Sequence, residues 1–142
     1  MQRVFWADDH VTTLRAVRVL LESRFELVGT ATDGQQAVDA IRKLRPEVVV
    51  LDISMPTLSG IDVARHLLAS ESESESESEN DDVDQPIVAF LSIHRDAAIV
   101  EAALETGALG YVLKTSAGQD LLDAIEQALA GRRFISPVLC AN

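Results

Sequence analysis

Three acidic residues and one lysine follow strand-like runs of this sequence, at the point where each run ends. Asp52 comes directly after the run Glu47–Leu51. Asp8 and Asp9 follow an earlier run, and Lys114 follows a later one. Apolar runs rich in β-branched residues between turn signals are typical of strands buried on both faces of a parallel sheet. Since such sheets place their chemistry at the carboxyl ends of the strands, the spacing predicts one charged pocket.

The residue types in this pocket favour phosphoryl transfer assisted by a divalent cation. Crowded carboxylates repel one another and therefore favour a cation between them, and Mg²⁺ takes oxygen ligands. An aspartate can act as a nucleophile and form an aspartyl-phosphate. Phosphoryl transfer needs positioning and charge neutralisation, and a lysine supplies a compact positive charge. Taken singly, each residue has a simpler explanation, because Asp8 or Asp9 could cap a helix and Lys114 could be a solvated surface residue.

The composition is that of one globular domain. The chain has 142 residues, of which 47% are hydrophobic, enough for a proper core. No run approaches the ~20 apolar residues of a membrane helix. The N-terminus leads directly into a strand pattern, so we expect no membrane span and no signal peptide. Cys140 is the only cysteine, which excludes an intrachain disulfide. These features favour a cytoplasmic protein.

The formal net charge of −11 is concentrated in one segment. Eight acidic residues and no basic residue lie between positions 71 and 84, which leaves −3 for the rest of the chain. Neither value favours direct binding to nucleic acid, which needs a basic face. Residues 70–79 are a strict Ser-Glu repeat, and the segment 70–85 has no apolar residue before Val83. This pattern predicts a solvated loop insertion, with cation binding or partner docking as the alternative roles. The repeat is either native or introduced into the protein.

Five strand patterns alternate with five helix patterns along the chain. The predicted strands are Arg3–Ala7, Glu26–Ala31, Glu47–Asp52, Pro86–Ser92 and Leu109–Leu113. The predicted helices are Thr12–Ser23, Gln35–Leu44, Ile61–Ala69, Asp96–Thr106 and Ser116–Ala130. This alternation predicts βαβ units, whose right-handed crossovers place helices on both faces of the sheet. The expected fold is α/β, a doubly wound five-stranded parallel sheet of order 2-1-3-4-5 flanked by five helices.

Several motifs of the chain resemble the signature of response-regulator receiver domains of two-component systems. These motifs are Asp8-Asp9, Asp52 with Met55-Pro56 and Gly60, Ser92, and Tyr111–Lys114. Leu91–His94 and the ending Gly131–Pro137 are similar to the NarL/FixJ (LuxR-type) branch, in which a linker and a DNA-binding helix-turn-helix domain usually follow the receiver. The resemblance implies a flavodoxin-like receiver domain over residues 1–131. Residues 132–142 would begin the C-terminal linker, and the output domain is absent from this chain.

The resemblance implies a metal site and a phosphoacceptor. Asp52 would accept the phosphoryl group. Asp9 and Asp52 would ligate Mg²⁺ (or Mn²⁺) directly. Asp8 would act through water, and the backbone carbonyl of Ser54 would complete the protein's ligands.

The remaining site residues would respond to the phosphoryl group. By resemblance, Lys114 and Ser92 would contact its oxygens, and Tyr111 would rotate from an exposed to a buried position. Ser54 and His94 would tune the lifetime of the signal. Many receivers have proline after this lysine, so Thr115 makes a cis peptide bond there costly.

The leading functional interpretation is a phosphoacceptor module that controls a transcriptional, DNA-binding output. A sensor histidine kinase would be the partner, and any enzymatic activity would be limited to self-phosphorylation and autodephosphorylation. The alternative is a stand-alone receiver that shuttles phosphate or binds a partner. A homodimer would form through the fourth helix, fifth strand and fifth helix, or through the first and fifth helices. The missing P-loop and the missing second Asp after Asp52 disfavour a nucleotide switch and a phosphatase.

Overall fold

The computed structural model describes residues 1–68 and 85–140, without the side chain of Cys140. Its strands are β1 (Arg3–Ala7), β2 (Glu26–Ala31), β3 (Val48–Leu51), β4 (Ile87–Ser92), β5 (Gly110–Leu113) and β6 (Phe134–Ile135). They form one sheet of order β2-β1-β3-β4-β5-β6, in which every neighbouring pair is parallel. Parallel pairing brings the carboxyl ends of these strands to one edge.

The helices pack on both faces of this sheet. They are α1 (Val11–Glu22), α2 (Gly34–Leu44), α3 (Gly60–Leu68), α4 (Ala97–Glu105), α5 (Ala117–Leu129) and α6 (Pro137–Cys140), and a 3₁₀ turn spans Lys114–Ser116. Because successive strand residues point to opposite faces, β3 contributes to two cores. Val48 and Val50 pack with apolar residues of α1 and α5, whereas Val49 and Leu51 pack with those of α2, α3 and α4.

The predicted α/β fold is confirmed, with the five strands in the order 2-1-3-4-5 and the five helices on both faces. The described residues add one strand and one helix to this prediction, β6 beside β5 and the short helix α6 after it. A strand of two residues is too short to show the alternation that identifies a strand in a sequence. The predicted insertion at 70–85 and the predicted helix end at Ala69 lie outside the described residues, apart from Gln85.

Two further expectations can be compared with the described part of the chain. Residues 1–68 and 85–140 contain no cis peptide bond, so the bond between Lys114 and Thr115 is trans. Among the same residues, none of the helices has the length and apolar character needed to cross a membrane.

The segment after α5 packs against the sheet. Phe134 and Ile135 pair with Gly110 and Tyr111 of β5. Phe134 contacts the core beneath α1 and α5, and Leu139 contacts the core on the opposite face. The domain boundary at residue 131 stays a prediction, but the structure joins residues 134–139 to both cores.

Ser136 fixes this segment to the end of β5. Its side chain is fully buried, and its Oγ accepts a hydrogen bond of 3.0 Å from the backbone N–H of Leu113. The same hydroxyl donates to Asp120 Oδ2 at 3.2 Å. A third bond of 2.9 Å joins the Ser136 N–H to the Tyr111 carbonyl. The residue immediately before Lys114 is therefore held by a side chain that lies 23 positions later.

We predict that Ser136→Ala lowers the free energy of unfolding by about 1–2 kcal/mol, because it leaves the buried Leu113 N–H without an acceptor. Urea unfolding followed by circular dichroism measures the change. Ser116→Ala is the matched control, because the Ser116 hydroxyl makes no capping hydrogen bond. Equal losses for the two variants would contradict this role of Ser136.

Candidate functional site

Backbone pairing places Asp8 and Asp52 side by side. They follow β1 and β3, which are neighbours in the sheet with Ala7 opposite Leu51. The Asp52 N–H donates to the Ala7 carbonyl at 3.0 Å, and the Asp8 N–H donates to the Ala31 carbonyl at 3.0 Å. Both aspartates are buried. The sheet itself thus aligns two carboxylates at the edge where the sequence predicted a pocket.

Gly60 allows the loop after Asp52 to close tightly. A Cβ atom at this position would overlap the carbonyl oxygen of Asp52. The Gly60 N–H donates to the Ile53 carbonyl at 2.7 Å. Only a residue without a side chain lets α3 begin so close to the end of β3.

The same loop is tied to the start of α2. Asp33 caps this helix, since its Oδ1 accepts a hydrogen bond of 2.8 Å from the Gln36 N–H. The Thr57 hydroxyl donates to the same Oδ1 at 3.2 Å and accepts from the Gln35 N–H at 2.9 Å. These bonds restrain the loop that carries Ser54.

Asp8, Asp9 and Asp52 converge with His10. Each of the four offers one ligand atom, and the four atoms lie within 4.8 Å of one another. The Asp9 Oδ1 atom is buried and accepts no hydrogen bond. A buried carboxylate oxygen without a partner is costly unless a cation compensates it. The acidic residues therefore fit a divalent metal ion.

Lys114 supplies the positive charge on the other side of the pocket. Its Nζ lies 2.8 Å from Asp8 Oδ2 and 3.4 Å from Asp52 Oδ1. The lysine side chain is only 14% exposed, so the simpler explanation of Lys114 as a solvated surface residue is wrong. The ammonium is positioned between two carboxylates that would otherwise repel each other.

The buried position of Asp52 changes its acidity. Burial raises the pKa of the Asp52 carboxyl to about 6, and the negative charge of Asp8 adds to the increase. Lys114 acts in the opposite direction but does not cancel the increase. In the protein without metal, the charged form of Asp52 is therefore destabilised.

Ser92, His94 and Tyr111 form a connected group beside the pocket. Ser92 is fully buried, and its Oγ accepts a hydrogen bond of 3.0 Å from the His94 N–H. The Tyr111 hydroxyl donates to the His94 carbonyl at 2.8 Å. Tyr111 is itself fully buried, which raises the pKa of its phenol and keeps it a hydrogen-bond donor. The structure thus holds Tyr111 in the inward position. The backbone N–H of His94 is bonded to Ser92, and its carbonyl oxygen is bonded to Tyr111.

A cleft of about 230 Å³ opens over this pocket. Its lining residues are His10, Thr13, Asp52, Ser54, Ile93 and Lys114. Ser54 Oγ and His94 Nε2 lie 2.9 Å apart and share a hydrogen bond at this rim. A larger cleft of about 520 Å³ lies elsewhere, against Arg45, Pro46 and Glu47, and contains none of the predicted site residues. The chemistry of the acidic pocket, rather than its size, identifies it as the candidate site.

Sequence reasoning missed His10. The structure places its Nδ1 3.4 Å from Asp8 Oδ1 and 3.3 Å from Asp9 Oδ1. The available signal was its position directly after two acidic residues at a strand end. The orientation of the ring depends on the turn into α1, which the motif does not specify.

The comparisons with known proteins agree with this geometry. Residues 4–126 match the family described as the response regulator receiver domain. The chain belongs to this family. Members of the receiver family typically bind Mg²⁺ and partner with histidine kinases.

The relatives of this receiver domain are regulators of the LuxR/NarL type. The chain is 34% identical to the transcriptional regulatory protein DegU of Brevibacillus brevis, over 95% of the chain and 53% of that protein. It is 35% identical to the uncharacterized transcriptional regulatory protein YvfU of Bacillus subtilis, over 100% of the chain and 66% of that protein. The chain therefore spans about half to two thirds of the length of these curated relatives.

Solved structures give the same family. A LuxR-family response regulator from Aurantimonas sp. SI85-9A1 superimposes with a TM-score of 0.84 at 31% identity, covering 99% of this chain and 93% of that one. The signal receiver domain of the putative response regulator NarL from Mycobacterium tuberculosis gives a TM-score of 0.79 at 31% identity, covering 92% and 98%. Both matches include the receiver fold, so the similarity is not limited to the site.

We predict that Asp52→Asn stabilises the metal-free receiver domain by about 1–3 kcal/mol above pH 6. The Asp52 pKa is higher in the folded protein, about 6, than its ordinary 3.8. The carboxylate therefore destabilises the fold increasingly from about pH 4 to pH 6, and fully above pH 6. Replacing it with an amide should give no gain below about pH 4.

Urea unfolding at several pH values, with a chelator present, measures this effect. Asp123→Asn serves as the control, because Asp123 is exposed on α5. Addition of Mg²⁺ should reduce the advantage of Asp52→Asn, because the cation stabilises the carboxylate. A gain that does not depend on pH would show that the charge of Asp52 is not its cause.

Proposed function

We propose that this receiver domain accepts a phosphoryl group on Asp52 from a sensor histidine kinase. One Asp52 carboxylate oxygen attacks the phosphorus of a phosphohistidine, the new O–P bond forms, and the P–N bond breaks with its electron pair going to the donor imidazole. The observation that carries the proposal is a carboxylate in an open cleft, flanked by acidic metal ligands and by a lysine. This arrangement provides the positioning and charge neutralisation that phosphoryl transfer needs.

We assign the metal ligands to the acidic side of the pocket. Asp9 and Asp52 would bind Mg²⁺ (or Mn²⁺) directly, Asp8 would bind it through water, and the Ser54 carbonyl would complete the protein's ligands. The convergence of three carboxylates, and a buried Asp9 Oδ1 that accepts no hydrogen bond, support this assignment. When bound, the ion would neutralise negative charge on the phosphoryl oxygens.

Lys114 would pair with a phosphoryl oxygen after transfer. Its ammonium now contacts Asp8 and Asp52, within reach of the carboxylate that becomes modified. Phosphorylation adds negative charge and acceptor oxygens at this place. The lysine would therefore exchange a carboxylate contact for a phosphoryl contact and draw the start of the 3₁₀ turn toward the site.

The hydrogen bonds around His94 suggest how phosphorylation would change the structure outside the pocket. Ser92 now accepts a bond from the His94 N–H, and Tyr111 donates to the His94 carbonyl. If the Ser92 hydroxyl turned to a phosphoryl oxygen, the His94 N–H would lose its acceptor. The loop between β4 and α4 would then repack with Tyr111 and change the face formed by α4, β5 and α5. Phosphorylation would shift the population between two packings of this face.

Ser54 and His94 would control how long the phosphoryl group persists. Their shared hydrogen bond lies at the rim of the cleft that contains Asp52. A side-chain pair at this place restricts the approach of a water molecule to the phosphorus. Hydrolysis of the aspartyl-phosphate is the only reaction, besides self-phosphorylation, that we propose for the domain.

We propose that the output is transcriptional and that another part of a longer protein makes the DNA contact. The relatives named above are transcriptional regulatory proteins, and this chain covers only part of their length. Residues 1–131 would be the receiver and residues 132–142 the start of a linker. We also propose a cytoplasmic location. The alternative function is a stand-alone receiver that shuttles phosphate or binds a partner.

A homodimer would form through α4, β5 and α5, or through α1 and α5. RcsB from Salmonella typhimurium, a structural neighbour at 26% identity and a TM-score of 0.78, covers 94% of this chain and 62% of that chain. Another RcsB structure, at 25% identity, contains two dimers bound to DNA. This neighbour supports dimerisation as a mode of response, without selecting between the two faces.

Incubation with acetyl phosphate and Mg²⁺ tests the phosphoacceptor. Intact mass spectrometry should detect one added phosphoryl group on the parent and on Asp123→Asn, and none on Asp52→Asn. Removal of Mg²⁺ by a chelator should abolish uptake, because the carboxylates would then be uncompensated. Undiminished phosphorylation of Asp52→Asn would place the acceptor at another residue and overturn the proposal.

Lys114→Ala should retain part of the phosphoryl uptake and lose the conformational response. The reason is that the metal ligands remain, whereas the contact that couples the phosphoryl group to the 3₁₀ turn is removed. Amide NMR shifts of α4, β5 and α5, recorded with and without phosphodonor, measure the response. Lys43→Ala, on the exposed surface of α2, should respond like the parent. A full response in Lys114→Ala would contradict the coupling role.

A further inference from the structure

His10 lies at the start of α1, directly beside the acidic cluster. It is the residue before the first helical position, and its own N–H donates to Asp8 Oδ1 at 2.9 Å. Its ring Nδ1 lies 3.3 Å from Asp9 Oδ1 and 3.4 Å from Asp8 Oδ1. The ring is 69% exposed, so it faces the cleft without being enclosed by the core. Three consecutive residues, Asp8, Asp9 and His10, therefore bring a ring nitrogen and carboxylate oxygens to the same place.

The spacing of these atoms suits one ion. The ligand atoms of Asp8, Asp9, His10 and Asp52 all lie within 4.8 Å of one another. Ligands about 2.0–2.2 Å from a common ion lie up to roughly 4.4 Å apart. A small movement of an exposed ring is enough to bring Nδ1 into the same coordination sphere as the carboxylates.

A separate observation concerns two carboxylate oxygens of this cluster that accept no hydrogen bond. Asp8 is fully buried, yet its Oδ2 accepts no hydrogen bond and has only the ion contact with Lys114. Asp9 Oδ1 is also buried and accepts no hydrogen bond. Buried carboxylate oxygens are normally paired with donors or with a metal ion. Of these two oxygens, Asp9 Oδ1 is the one that lies 3.3 Å from His10 Nδ1, whereas Asp8 Oδ2 faces Lys114.

We propose that His10 is a nitrogen ligand of this site, and that it raises the affinity of the site for a borderline divalent transition-metal ion relative to Mg²⁺. The inference rests on the metal site of the proposed function and adds its selectivity. Mg²⁺ favours oxygen ligands, whereas imidazole suits ions such as Fe²⁺, Ni²⁺ and Zn²⁺. If His10 acted only as a cation beside the carboxylates, its replacement would change the affinity of the site for all divalent ions alike.

Calorimetric titration of the 142-residue chain with Mg²⁺ and, separately, with Ni²⁺ tests the proposal. His10→Gln should raise the Kd for Ni²⁺ by about tenfold or more, as expected for the loss of a group that sets metal affinity, and change that for Mg²⁺ by less than about twofold. His66→Gln is the matched control, because His66 is exposed on α3 and outside the cluster. Excess Mg²⁺ should displace Ni²⁺ from the parent, which shows that both ions occupy one site.

The outcomes separate this inference from the proposed function. Equal changes for the two ions, or no change in His10→Gln, would overturn the nitrogen ligand and leave the Mg²⁺ site intact. A parent chain that binds neither ion would overturn both. A selective loss of Ni²⁺ affinity that also occurs in His66→Gln would show adventitious binding and reject the role of His10.

Discussion

The mutual repulsion of buried carboxylates is the constraint on which this site depends. Asp8 and Asp52 are fixed by the parallel pairing of β1 and β3, so they cannot separate without breaking the sheet. Burial, and then the negative charge of Asp8, raise the Asp52 pKa to about 6, and the ammonium of Lys114 lowers it only in part. The stability of the sheet thus maintains an electrostatic imbalance that a cation or a change of protonation relieves. An acidic cluster that fits a metal ion and a carboxylate with a raised pKa are two results of the same packing.

In the proposed function, the connections around the pocket would couple a change of charge to a change of conformation. Lys114 begins a 3₁₀ turn, and the residue before it is bonded to Ser136 beyond α5. His94 is bonded through its N–H to Ser92 and through its carbonyl to Tyr111. Because the bonds to Ser92 and Tyr111 share the backbone of His94, a displacement of His94 would affect both of them. Tight packing favours two discrete arrangements over a continuous deformation.

Much of the fold was predictable from the sequence, because alternating strand and helix patterns leave few topologies. The convergence of Asp8, Asp9, Asp52 and Lys114 followed from the same pattern, since strand ends meet at one edge. The bonds among Ser92, His94 and Tyr111 were not predictable, because they involve backbone atoms and rotamers that residue types do not encode. The strand β6 was missed because two residues are too few to show an alternating pattern, and the ring orientation of His10 was missed because it depends on the turn into α1.

The short strand β6 also determines how much of the sheet is open to other chains. It occupies main-chain groups of β5 at Gly110 and Tyr111, and Ser136 occupies the N–H of Leu113. A protein truncated at Gly131 would present these groups on an unprotected edge beside an apolar core. Exposed edges of this kind template pairing with further strands, which leads to aggregation. Residues 132–142, which resemble the start of a linker, would then determine whether the isolated domain stays monodisperse.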